Sequence, residues 1–203
     1  RSVTAAHMPT YERTSTMMSL SRKAQGVTPS ATLAISAKAK AMQAEGHDVI
    51  GFGAGEPDFD TPENIKDAAK AALDAGYTKY TPASGAPDLK AAVAARYERT
   101  HGIPYGADQV VVSCGGKHAL YNIFQAICDP GDEVIFAAPY WVSYPEMVKL
   151  ADGVPVAVST SAADNYTLSA DAIAAHLTDK TKAVIINSPS NPTGTMYTRE
   201  QLE

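Results

Sequence analysis

Residues 133–159 read EVIFAAPYWVSYPEMVKLADGVPVAVS. Val134-Ile135-Phe136 is apolar on consecutive positions, which marks a strand covered on both faces rather than one with a wet side. Pro139 and a cluster of aromatics interrupt it. Tyr144 to Ala151 then fits a helix, and Val154 to Ser159 a second strand. Strand, helix and strand in this order suit a parallel or mixed sheet covered by helices. The same alternation extends both ways. Upstream lie a strand over Gln109–Ser113 (containing Val110-Val111-Val112) and a helix over Lys117–Cys128. Downstream lie a helix over Ser169–Leu177 and a strand over Lys182–Asn187, with Val184-Ile185-Ile186 inside it. Buried strands alternating with helices predict a three-layer α/β fold on a mixed, mostly parallel sheet.

The first hundred residues carry helices and loops. Arg1 to Met8 (RSVTAAHM) is similar to a cloning scar ending at a start methionine. Residues 9–28, rich in Ser and Thr, are expected to form a mobile arm. A helix follows Pro29 with Leu33, Ala34, Ala37, Ala41 and Met42 on one face, and Gly46 stops it. Asp48–Phe52 is expected to be a short strand and 53–59 a loop. Thr61-Pro62 opens a helix with Thr61 as cap, whose apolar face is Ile65, Ala68, Ala69, Ala72 and Leu73. Tyr77–Pro87 is a loop, and another helix runs from about Asp88 to Thr100. At the far end Thr198 and Gln201 make a capping box. The chain stops one turn later, so Glu203 reads as a cut.

The net charge of −5 over 203 residues gives no basic face for nucleic acid. No apolar run reaches the roughly 18 residues of a membrane span, and no secretory signal opens the chain, so a cytosolic (cytoplasmic) protein is expected. Cys114 and Cys128 lack a CxxC context and are expected to be buried free thiols. His7, His47, His101, His118 and His176 share no metal-ligand spacing, so no metal is expected.

Three loops carry chemistry. Ser113-Cys114-Gly115-Gly116-Lys117 joins an apolar strand to a helix. Such a turn offers free N–H groups and a positive helix end to an anion, though a Gly-Gly turn is also a common structural device. Ala138-Pro139-Tyr140-Trp141 follows a strand and holds the only tryptophan, a platform for a planar ring or a cover for the core. Asn187-Ser188-Pro189-Ser190-Asn191-Pro192-Thr193-Gly194 is a stiff loop in which Asn191 offers an amide donor or simply makes a turn. Loops from the same ends of three strands converge. An anion cradle, a flat aromatic and an amide donor together suit a phosphorylated aromatic ring such as pyridoxal phosphate (PLP).

NSPSNPTG, GAGEPDFDTP, KYTPASGAPDLKAAVA, SCGGKHALYNIFQAICDPGDEV and PYWVSYPEMV resemble, in order, segments of the fold type I PLP-dependent (class I) aminotransferases. They are most similar to the aspartate aminotransferase family and its bacterial aspartate/prephenate branch. The resemblance spans about residues 20–203 and matches the N-terminal half of that family. It implies a transaminase that moves an amino group between an amino acid, aspartate or glutamate, and a 2-oxo acid by a ping-pong mechanism with PLP. It also implies roles for particular residues. Gly115, Gly116 and Lys117 would lie beside the cofactor phosphate, Trp141 on its ring, and Asn191 at the ring oxygen and the substrate carboxylate. Gly55 would meet the substrate α-carboxylate through its backbone. Tyr80 would reach the phosphate in a partner subunit, so a homodimer with shared sites is implied, and Lys117 would recognise an acidic side chain. Residues 1–20 would be scar and arm, 21–60 a segment of the small domain, and 61–203 an incomplete PLP-binding large domain. The family's Schiff-base lysine lies beyond Glu203, so the chain alone is expected to be inactive. A lyase using the same cofactor is the alternative within the fold. A DNA-binding regulator would need a helix-turn-helix that residues 1–28 are too short to hold.

Overall fold

The structure is a computed structural model and describes residues 19–203; the expected scar (with His7) and the first half of the expected arm lie outside the described residues. The elements are α1 (Arg22–Gln25), α2 (Ala31–Ala44), α3 (Glu63–Asp74), α4 (Pro87–His101), a 3-10 turn (Ala107–Gln109), α5 (Gly116–Ile127), β1 (Glu133–Ala138), α6 (Ser143–Leu150), β2 (Val154–Ser159), α7 (Ala170–Ala174), β3 (Thr181–Ile185) and α8 (Arg199–Leu202).

The three strands form a parallel sheet in the order β2-β1-β3. β1 is central, and Val134, Ile135 and Phe136 are buried to within 1% of completely. Alternation divides them between faces. Val134 and Phe136 pack with Phe124 of α5 and with Tyr144, Met147 and Val148 of α6. Ile135 packs on the other face with Val158, Leu168, Ala172 and Ile173. Helices therefore cover both faces, as the three-layer α/β reading expects. Each such side chain contributes roughly 1.5–3 kcal/mol by leaving water, so this cluster is the stable platform of the chain.

Several expectations fail, each for a local reason. Residues 110–113 are not a strand. No strand runs beside them among the described residues, and the Val112 N–H donates instead to the Ser84 carbonyl in a loop, at 2.9 Å. Apolar character cannot supply a ladder partner, and Val111 is 67% exposed. Asp48–Phe52 is also irregular; it lies along α2, where the Gln43 side-chain amide donates to the Val49 carbonyl at 2.8 Å. α3 begins one residue later than expected, with Pro62 as its cap and no side-chain capping bond. The expected apolar faces of α2 and α3 are uncovered, with Leu33, Ile65 and Leu73 all more than half exposed. Cys114 is exposed, because its segment is not a core strand. Cys128 is partly buried. Burial, then the Asp132 carboxylate, push its thiol above the usual range. The Thr198–Gln201 capping box forms as expected.

Residues 21–28 are not a mobile arm. Ser21 caps α1 through the Ala24 N–H, and the segment docks on α6. Lys23 pairs with Asp152 at 2.6 Å, and the Thr28 N–H donates to Glu146 at 3.0 Å.

Candidate functional site

The turn before α5 depends on a glycine. Gly115 holds φ 84° and ψ 169°, a region open to glycine and strained for other residues. Its N–H bonds the Ser113 carbonyl at 2.8 Å, and the Cys114 N–H donates to His118 Nδ1 at 3.1 Å. No side chain caps α5. Among the described residues the N–H groups of Gly116, Lys117 and His118 meet no acceptor, so the positive end of a 12-residue helix stands open. A Cβ placed on Gly115 or Gly116 would have no atom within 4 Å. This geometry suits a phosphate.

The loop after β1 is anchored at Ala138, whose carbonyl accepts both the N–H and the hydroxyl of Thr160 at 3.0 and 2.7 Å. Trp141 is half-buried. Its ring meets Tyr144 edge-on with centroids 5.6 Å apart, and Tyr140 meets Phe136 likewise at 4.9 Å. Burial alone raises the Tyr144 phenol above its usual value, so this support stays neutral. The Lys117 ammonium lies 5.3 Å from the Trp141 ring centroid, which brings the anion cradle and the aromatic platform together.

The loop after β3 is fixed from within. Asn187 accepts the Asn191 N–H at 2.8 Å. Ser190 donates its N–H to Thr195 and accepts that of Gly194, both at 2.8 Å. Tyr197 tethers the stretch, giving its N–H to Ser188 Oγ and taking the Leu168 N–H. Asn187 is thereby committed to the loop, while the Asn191 amide has no partner among the described residues. Tyr140, Asn187 and Asn191 line a small crevice. Tyr140 and Lys117 also line a cavity of about 600 Å³. All three loops therefore meet around Tyr140, although only two leave strands. The third arrives because α5 packs on α6.

The opposite wall of the large cavity is the segment from Val27 to Ala31, which the arm reading misses. Ser21 ahead of Arg22-Lys23-Ala24-Gln25 is the capping signal that could have found it. Glu146, facing that wall, is 16% exposed. Burial pushes its carboxyl up. The Thr28 N–H and Lys149 outweigh that and hold it below the usual carboxylate range.

Gly55 and Tyr80 are not brought to this cluster. Neither lines these cavities, and Tyr80 is fully exposed. Histidines 47, 101 and 176 lie elsewhere, against Glu45, Tyr97 and the Ala172 carbonyl. No group of three metal-capable side chains occurs among the described residues, and no described helix is long and apolar enough to cross a membrane.

The model of the family "Aminotransferase class I and II" matches residues 47–203. The chain is 56% identical over 184 residues to an aspartate aminotransferase of Bacillus sp. strain YM-2, covering 91% of this chain and 47% of that protein. It is 49% identical to an aspartate/prephenate aminotransferase of Thermus thermophilus, covering 92% of this chain and 49% of the relative. The structure superposes on that of Thermus thermophilus aspartate aminotransferase with maleate at a TM-score of 0.89 and 48% identity, over 92% of this chain and 49% of that one. The chain spans about half the length of the curated relatives it matches.

Proposed function

This chain belongs to the aminotransferase class I and II family, and from that premise we propose that it supplies the phosphate, ring and side-chain contacts of a PLP-dependent aspartate aminotransferase. The observation that carries the reading is the Lys117–Trp141 approach at 5.3 Å, which sets an open helix N-terminus beside a braced aromatic face. The donor set fits PLP: open amides for a phosphate, an indole for a ring, and an uncommitted amide at Asn191 for a ring oxygen.

When bound, PLP supplies an electron sink for cleavage of a bond at the amino acid's α-carbon. The residues of this chain bind and orient. The N–H groups at the start of α5 hold the phosphate. Trp141 covers one ring face and excludes water from it. Asn191 donates to the ring oxygen and steadies the substrate carboxylate; Gly55, which lies outside this cluster, is assigned to that carboxylate by the family resemblance alone. Lys117 sits where an ammonium can meet the distal carboxylate of aspartate or glutamate. The covalent lysine comes from sequence that follows this segment in the longer protein, where the reaction is amino transfer to a 2-oxo acid by a ping-pong route. Residues 21–60 belong with a small domain and 61–203 with the PLP-binding domain. A fully exposed Tyr80 supports a role across a homodimer, at the partner's phosphate. The setting is the cytoplasm.

The test is PLP retention. The purified longer protein should hold PLP through dialysis, seen as visible absorbance. Gly115→Ala should weaken retention by distorting the cradle, at a strain of about 1–3 kcal/mol, and Trp141→Ala by removing the ring contact. Retention unchanged in both variants would refute the assignment.

A further inference from the structure

The cavity beside Lys117 has a wall, Val27 to Ala31, whose position is set from a distance. Glu146 on α6 accepts the Thr28 N–H at 3.0 Å and takes Lys149 Nζ at 3.1 Å. Its side chain is only 16% exposed. Thr28 precedes Pro29, which confines Thr28 to extended backbone and fixes its own φ. Ser30 then caps α2 through the Leu33 N–H. One anchored N–H therefore dictates the course of the next residues with few free dihedrals. A second tie, Lys23 to Asp152, is about half exposed at both ends, and exposed pairs hold weakly. Glu146 is the stronger latch, because a hydrogen bond to a charged group is stronger than a neutral one.

We propose that Glu146 is a positioning residue for the substrate: by accepting the Thr28 N–H it holds residues 27–31 as the fixed wall of the cavity that Lys117 enters, and so sets substrate affinity without touching substrate. This rests on the aminotransferase reading for what the cavity admits; the latch itself does not.

The experiment uses the longer protein with PLP and compares wild type with Glu146→Ala, Glu146→Asp and Glu146→Gln. Amide hydrogen exchange over residues 27–31 is measured without substrate, and KM and kcat for aspartate are measured separately. Glu146→Ala should speed exchange about tenfold and raise KM by a similar factor, the range set by one hydrogen bond to a charged group, with kcat nearly unchanged. Glu146→Asp, one methylene short of Thr28, should move both in the same direction. Glu146→Gln keeps an acceptor oxygen but loses the charge, and should fall between wild type and Glu146→Ala on both. Unchanged exchange in Glu146→Ala, a loss in kcat rather than KM, or a Gln variant no better than Ala overturns the proposal. If the Ala variant does not fold, the Asp and Gln variants decide, and equal values for the two overturn it. A wild type that ignores aspartate refutes the functional reading alone, since the exchange comparison needs no turnover.

Discussion

Gly115 and Lys117 stand two positions apart and do different work. Gly115 contributes a backbone shape, with φ 84°, and Lys117 contributes a charge poised over Trp141. Lys117→Ser in the longer protein should lower kcat/KM for aspartate by about 1.5–3 kcal/mol of a charge-assisted hydrogen bond. A neutral amino acid should lose much less. Equal losses would give Lys117 to the cofactor or the fold. Lys117, Trp141 and Asn191 were legible because each sits at the junction of an apolar run and a Gly- or Pro-rich turn. Gly55 and Tyr80 were not. In this chain neither reaches the cluster, so only the resemblance marks them.

At the level of elements, Val134-Ile135-Phe136 and Val110-Val111-Val112 look alike in sequence and differ in structure. Both are apolar and β-branched or aromatic. Only the first has strands on both sides, β2 and β3, and neighbours rather than composition complete a ladder. Residues 21–28 were misread as arm for a related reason, since their contacts with α6 and the turn after it lie 118 to 129 positions away in sequence. Those contacts have a pH signature. The Glu146 carboxyl is held below its ordinary value of 4.5, so its contribution is complete above that value and fades as pH falls through the lower folded one. The thermal stability of wild type over Glu146→Gln should therefore shrink as the solution is acidified below the ordinary value of 4.5. A difference that stays constant there would deny the carboxylate its role.

At the level of the molecule, the chain exposes 16,108 Å². A compact protein of 21.3 kDa exposes about 9,000 Å². Part of that excess lies in the described residues. It appears at Leu33, Ile65, Leu73, Val111 and Ile123, each 49–69% exposed. Apolar surface of this extent drives association. Residues 9–203 expressed alone should self-associate and unfold without a sharp transition, as sedimentation and denaturant titration would report. A cooperative monomer would mean that these faces need no cover. The longer protein should be a stable homodimer. Its chemistry is read most directly in a half-reaction, in which PLP-loaded protein is mixed with aspartate and no 2-oxo acid. One equivalent of oxaloacetate should appear per bound PLP and then stop, resuming only when 2-oxoglutarate is added. Continuous release of ammonia or carbon dioxide without an acceptor, or no product at all, would show that the site is not that of an aspartate aminotransferase.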